Sequence, residues 1–164
     1  MILFVGFFIL KDLFFSDYIR DEKLMSKEYF QTYATVTQKD SKRIYFTYLC
    51  YDSVNLFTAI DRSCFDVGDI LPVLVKKTNC KDVDIIMYKP CINDYEQTNF
   101  TNALVVDTWR FSYPHIWFEY TIGENKYLKC QYFQDKSIVK KIRVGDEIRI
   151  KYVIDQPTRA IVCK

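Results

Sequence analysis

The chain has 164 residues, with 23 basic and 21 acidic side chains that leave a formal net charge of +2. This balance disfavours a protein that binds polyanions through its bulk charge. Thirteen Phe and 13 Tyr beside only four Gly and four Pro indicate a folded, β-rich chain rather than a disordered one. The length allows one ordinary domain or two very small ones.

The N-terminal segment is the most apolar part of the chain. Residues 1–10 carry no charge, and the apolar character resumes after Lys11 and Asp12. A spanning helix needs about 20 apolar residues, so three interpretations stay open: the end of a membrane anchor, a short signal-anchor, or a core helix of a soluble protein. The aromatic residues of this run and its lack of interrupting charges over residues 1–10 favour an anchor. We expect residues 1–31 to form an apolar helix that contacts membrane lipid through residues 2–15, as a single anchor in the cell membrane whose orientation the sequence does not define.

The rest of the chain contains an internal repeat. Residues 44–48 (IYFTY) are echoed by residues 116–120 (IWFEY), and Val-Gly-Asp occurs in both copies. Apolar and polar side chains alternate along each copy, which predicts β-strands. The duplication predicts an all-β fold with an N-terminal helix. Two small barrel-like modules, SH3-like or OB-like, would occupy residues 32–87 and 103–164, with a polar linker at residues 88–102.

The two Val-Gly-Asp tripeptides predict a turn that leads into the next strand. Glycine tolerates a positive φ angle, and the Asp side chain can accept hydrogen bonds from backbone amides of the turn. The second copy carries five more residues before its tripeptide, near Lys136–Lys141, and we expect these to form a loop. Structural turn roles are expected for Gly68, Asp69, Gly145, Asp146, Asp155 and Pro157.

The cysteines and the single histidine give no chemical motif. Six cysteines occur without a Cys-x-x-Cys pair, and His115 is the only imidazole. Structural zinc sites need closely spaced ligand pairs, so no metal site and no cofactor is predicted. Cys50 and Cys163 stand where the other copy has Ile, which favours buried thiols. If any pair forms a crosslink, Cys80 and Cys91 are the first candidates, because they flank one strand.

An aromatic segment at residues 109–117 is the candidate contact surface. It occupies the place of a short polar stretch in the first copy. Its rings would either pack on the neighbouring module or form an exposed patch that binds a partner. The predicted contact patch consists of Trp109, Phe111, Tyr113, His115 and Trp117.

The second copy resembles a family of small bacterial membrane proteins of unknown function. A strand with Phe118 and Tyr120 precedes the runs VGDEIRIKY (144–152) and DQPTRA (155–160). In that family a β-barrel-like domain ends in such a sequence motif and lies beside transmembrane helices. The resemblance covers residues 103–162 well and the first copy more weakly. It implies a β-barrel-like fold and a membrane setting, and no catalytic residue, because the family has no assigned activity.

Together these patterns predict a membrane-tethered tandem β-module protein with a non-catalytic binding or structural role. Its partner would be an unidentified protein or peptide. No nucleophile elbow, phosphate loop or metal pattern is present, so no catalytic residue is predicted and the protein is not expected to be an enzyme. Two alternatives stay open. One is a small soluble immunity or inhibitor-type protein. The other is an OB-like nucleic-acid binder, which the near-neutral charge disfavours and which would stack bases on Tyr45, Tyr51, Trp117 and Tyr127.

Overall fold

The computed structural model describes residue 23 and residues 26–60, 64–86, 90–111 and 113–163. These residues form two modules of five strands each. Module 1 contains β1 (Tyr29–Lys39), β2 (Arg43–Cys50), β3 (Ser53–Ile60), β4 (Ile70–Lys76) and β5 (Asn79–Ile85). Module 2 contains β6 (Thr98–Trp109), β7 (His115–Ile122), β8 (Asn125–Tyr132), the short helix α1 (Lys136–Lys141), β9 (Glu147–Val153) and β10 (Gln156–Val162).

The two modules have the same topology. The order across the sheet is β3-β2-β1-β4-β5 in module 1 and β8-β7-β6-β9-β10 in module 2, and every pairing is antiparallel. Each sheet curls until its edge strands approach each other. In module 2 the backbone N–H of Val162 donates to Gln131 Oε1 across this gap, at 2.8 Å. The prediction of an all-β chain with two tandem barrel-like modules is therefore confirmed.

The long central strand of each module bends at the same place. Val36 of β1 pairs with Phe46, and Val105 of β6 pairs with Phe118. A β-bulge follows each of these pairs, so one extra residue bends the strand and increases its twist. This bend lets a single strand pair on both sides while the sheet curls around a core.

Each module has an apolar core formed by the inward-facing alternate residues of its strands. Phe46 and Leu71 are fully buried in module 1, and Phe118 and Ile150 are fully buried in module 2. This inward set follows the period of two in the sequence, because successive side chains of a strand point to opposite faces of the sheet.

An equivalent tyrosine ties the second strand to the fifth in each module. The Tyr48 hydroxyl donates to the carbonyl oxygen of Cys80, and the Tyr120 hydroxyl donates to that of Pro157. Burial raises the pKa of both phenols, which keeps them neutral donors. The duplication thus extends from strand order to single hydrogen bonds.

The loop predicted near Lys136–Lys141 is instead the helix α1, so that prediction is wrong. The carboxylate of Asp135 accepts from the backbone N–H of Ser137 at 2.7 Å and from its hydroxyl at 2.6 Å, which caps the helix. Val139 is fully buried in the core of module 2. A helix of six residues is too short to show a clear helical period in the sequence, which is why the pattern did not reveal it.

Two disulfides are present, and neither is the pair favoured from the sequence. Cys50 is bonded to Cys80 within module 1, with Cα atoms 5.9 Å apart, and Cys64 is bonded to Cys130 between the modules, at 4.6 Å. The predictions of a Cys80–Cys91 crosslink and of a Cys50 thiol are wrong. The curl of the sheet brings the end of β2 to the start of β5, a proximity that spacing along the chain does not reveal.

Most of the predicted N-terminal helix lies outside the described residues. At its predicted end, Tyr29 and Phe30 already belong to β1, and Lys23 forms an ion pair with Asp84 of β5. Strand β6 begins at Thr98, inside the segment predicted as linker. Among the residues that the structure describes, no helix is long and apolar enough to cross a membrane.

Candidate functional site

The two Val-Gly-Asp turns have one geometry. Gly68 and Gly145 both have a φ angle of +94°, a conformation that glycine adopts without strain. The carboxylate of Asp69 and that of Asp146 each accept from the backbone N–H three residues earlier, at 2.8 Å. Of the remaining predicted turn residues, Asp155 lies in the β9–β10 turn, whereas Pro157 is the second residue of β10, where its carbonyl accepts the Tyr120 hydroxyl.

The turn of module 1 faces module 2 through a buried ion pair. Lys129 of β8 places its Nζ 2.6 Å from Asp69 Oδ2 and 2.8 Å from Asp66 Oδ2. The side chains of Lys129 and Asp69 are only 5% and 7% exposed. Burial raises the pKa of the Asp69 carboxyl, while the charge and hydrogen bond of Lys129 act in the opposite direction. We call this contact region between the modules the seam.

An aromatic contact and a disulfide complete the seam. The Phe65 ring lies between Phe46 of the module 1 core, with centroids 6.2 Å apart, and Tyr132 of module 2, at 5.9 Å. The Cys64–Cys130 bond lies beside it. A cavity of about 10 Å³ is lined by these residues, enough for about one water molecule and too small for a metabolite.

Gly68 lies close to side chains of module 2 at the seam, whereas Gly145 faces open space. A Cβ atom at Gly68 would lie 2.9 Å from Gln156 Oε1 and 3.2 Å from Arg159 Cδ. At Gly145 nothing lies within 4 Å of such an atom. Arg159 is itself buried and forms an ion pair with Glu96, so it has little room to move. Its hydrogen bond lowers the pKa of the Glu96 carboxyl.

The predicted contact patch is divided between an exposed part and a packed part. Trp109 is 47% exposed and Phe111 is 70% exposed, and their rings meet edge to face at 5.3 Å. Tyr113 and Trp117 are instead partly buried against the apolar cluster that joins the module 1 core to Cys130 and Tyr132, and the Tyr113 ring lies 6.5 Å from that of Tyr132. His115 Nδ1 donates to the carbonyl oxygen of Tyr113 at 2.9 Å, since a carbonyl can only accept. We call the exposed pair the Trp109–Phe111 tip.

Module 1 carries an exposed apolar face that does not appear among the sequence predictions. We call it the hairpin face. Leu49 and Val54 are direct cross-strand partners, and Leu56 lies opposite Thr47 on the same side of the sheet. The sequence did carry a signal for this face, because outward-facing strand positions hold Leu and Val instead of charged residues. The members of the face, all more than half exposed, are Tyr33, Leu49, Tyr51, Val54 and Leu56.

Module 2 is less apolar at the equivalent positions, although Leu128, the counterpart of Leu56, is also exposed. Thr121 and Lys126 occupy the places of Leu49 and Val54, as the two hairpin registers show. Lys126 also forms an ion pair of 2.7 Å with Glu119. The apolar Leu49–Val54 pair is therefore particular to module 1 and is not a requirement of the shared fold.

Tyr51 adopts a left-handed backbone conformation, and the equivalent position of module 2 is a glycine. Its φ angle is +53°, and Gly123 at the equivalent turn position has a φ angle of +60°. A side chain in this left-handed region costs about 1–2 kcal/mol relative to glycine. The hydroxyl of Tyr51 donates to the carbonyl oxygen of Lys77 at 3.0 Å, and its ring packs 5.7 Å from that of Phe30.

The rings considered for base stacking are not presented together. Tyr127 stacks on Tyr120 at 5.4 Å, and Trp117 packs on the apolar cluster at the seam. The Tyr45 hydroxyl donates to Asp40. Within the described ranges, no group of three His, Cys, Asp or Glu side chains is placed to hold a metal ion.

No protein-family model matches the chain, and no curated protein or solved structure matches it either. The resemblance of the second copy to the bacterial membrane family therefore stays a prediction.

Replacement of Gly68 by Ala should destabilise the protein more than replacement of Gly145 by Ala. Both substitutions place a Cβ atom at a φ angle of +94°, which costs about 1–2 kcal/mol. Only the first also places the Cβ atom 3.2 Å from Cδ of the buried, ion-paired Arg159, which adds about 1–3 kcal/mol of overpacking. Denaturant unfolding of both variants measures the difference, and equal losses would contradict the close contact at the seam.

Proposed function

We propose that the protein is a membrane-tethered tandem β-module protein with a non-catalytic role, and that module 2 binds a protein or peptide partner through the Trp109–Phe111 tip. The observation that carries the binding role is the exposure of two large adjacent rings on one connection. Trp is enriched at binding hot spots, and aromatic side chains dominate interface energetics.

The connection that bears the tip is held at its base. Tyr113 and Trp117, which follow the tip, pack against the apolar cluster at the seam, and Arg110 donates to the carbonyl oxygen of Ile142 at 3.1 Å. A loop fixed in this way loses little conformational entropy when a partner binds, which favours affinity.

The strand order supports a binding scaffold of the OB type. In each module strand 1 pairs with strands 2 and 4, strand 2 with strand 3 and strand 4 with strand 5. Closing the gap between strands 3 and 5 would therefore give a five-stranded barrel of this type, which has a helix between the third and fourth strands. Helix α1 lies at that place in module 2. Ligands of OB folds contact the connection between strands 1 and 2, and the Trp109–Phe111 tip belongs to this connection of module 2.

A protein or peptide is better supported as the partner than a nucleic acid. The net charge of +2 gives little attraction for phosphates. Of the four rings considered for base stacking, Trp117 and Tyr127 are engaged in packing inside the protein.

The tether is supported by the uncharged run at residues 1–10 and by the disulfides. Disulfides persist in oxidising compartments, so Cys50–Cys80 and Cys64–Cys130 favour modules on the extracytoplasmic side of the membrane. Residues 2–15 would then provide the anchor, as the sequence predicts.

Two charges in the apolar run should release the protein from the membrane. We expect the full chain to pellet with membranes and resist high salt, and the variant Phe4→Lys/Phe8→Lys to be extracted. Each charge costs about 2.5–3.5 kcal/mol at the centre of a spanning helix. Phe4→Leu/Phe8→Leu is the matched control and should behave like the parent chain. Release of all three chains by salt would refute the tether and favour the soluble immunity or inhibitor-type alternative.

A photoreactive phenylalanine analogue at Phe111 should crosslink to a discrete partner in intact cells. The same analogue at Tyr95, which is exposed but lies in the segment between the modules, is the control. A distinct adduct at position 111, weakened by Trp109→Ala, is expected because both rings would contact the partner. The same adducts at both positions, or no adduct at position 111, would contradict binding through the tip.

A further inference from the structure

The hairpin face is part of a wider uncharged surface. Apart from Arg43, which is exposed at the start of β2, successive outward positions along β2 and β3 and the N-terminal half of β1 carry apolar, aromatic, hydroxyl or amide side chains. In module 2 the equivalent surface contains the Glu119–Lys126 ion pair. The uncharged outward positions of module 1 are Gln31, Tyr33, Thr35, Tyr45, Thr47, Leu49, Val54, Leu56 and Thr58.

This surface lies at the end of module 1 where the chain arrives from its apolar segment. Strand β1 starts at Tyr29, and its antiparallel pairing with β2 brings this start to the β2–β3 turn. The ring contact between Phe30 and Tyr51 shows that proximity directly. The β4–β5 turn lies at the same end, since Tyr29 pairs with Lys76 and Tyr51 donates to the carbonyl of Lys77.

Lysines and acids both surround this end, and the lysines can contact lipid headgroups. Lys27 and Lys77 are both exposed there. Asp52, beside Tyr51 in the turn, and Glu28, beside Lys27, are exposed acids at the same end, and Lys76 lies 4.0 Å from the Glu28 carboxylate. Basic side chains near a membrane attract anionic headgroups, and tyrosine rings favour the interface between hydrocarbon and water.

We propose that the hairpin face lies against the surface of the lipid bilayer, with Tyr51 at the level of the headgroups. The occupant of the face is the membrane itself, and the inference rests on the proposed tether. The strained backbone of Tyr51 is consistent with this role, because a glycine there would remove the ring from the interface. Module 1 then seats the protein on the membrane, and module 2 presents the Trp109–Phe111 tip.

Fluorescence quenching by bilayer lipid tests this arrangement in the full chain. Leu56→Trp places a reporter on the face, and Leu128→Trp places one at the equivalent position of module 2. The two leucines have similar exposure, 67% and 57%, so both variants should fold alike, as their thermal unfolding will show. Both chains are reconstituted in vesicles of phosphatidylcholine and phosphatidylglycerol, with and without bromine on the acyl chains. The parent chain provides the background from its own two tryptophans.

We expect brominated lipid to quench the added emission of Leu56→Trp and to leave that of Leu128→Trp unchanged. If both chains float with the vesicles and position 56 is not quenched, the tether stands and the face does not contact lipid. Equal quenching at both positions would also overturn the inference, because the contact would not be specific to module 1. A chain that does not float with the vesicles would refute the tether and the inference together.

Discussion

A buried lysine joins the two modules. Lys129 of module 2 lies between Asp66 and Asp69 of module 1, at hydrogen-bond distance from both. Withdrawing these charges from water is expensive, and loss of one partner from a buried pair typically costs about 3–5 kcal/mol. The contact therefore stabilises one relative placement of the modules. That placement packs Phe65 against Tyr132 and leaves the hairpin face of module 1 in the open.

The seam depends on differences between two otherwise equivalent copies. Arg143 of module 2 stands where module 1 has Asp66, and Phe57 of module 1 stands where module 2 has Lys129. One turn can thus receive a lysine and the other cannot, although Gly68 and Gly145 share one backbone geometry. The two copies have similar surfaces at the Val-Gly-Asp turn. A few differences in charge allow the turn of module 1 to be buried against module 2.

Most of the structure that could be predicted from the sequence followed from the internal repeat. Periodicity of two and the two Val-Gly-Asp tripeptides predicted tandem β-modules, because strand patterns and turn chemistry are local properties of the chain. The seam was not predictable in this way, since Lys129 and Asp69 are 60 residues apart and meet only through tertiary packing. The Cys50–Cys80 bond has the same origin, because it depends on the curl of the sheet. For the contact patch, the sequence identified the aromatic segment but could not separate the exposed tip from the rings that pack at the seam.

A double-mutant cycle between Asp69→Asn and Lys129→Met tests the seam most directly. Asparagine at position 69 keeps an acceptor for the backbone N–H of the turn and removes only the charge. We predict a single cooperative unfolding transition for the parent chain and a coupling free energy of about 1–3 kcal/mol between the two sites. Losses that add within about 0.5 kcal/mol, together with separate transitions for the two modules, would contradict a structure organised around this ion pair.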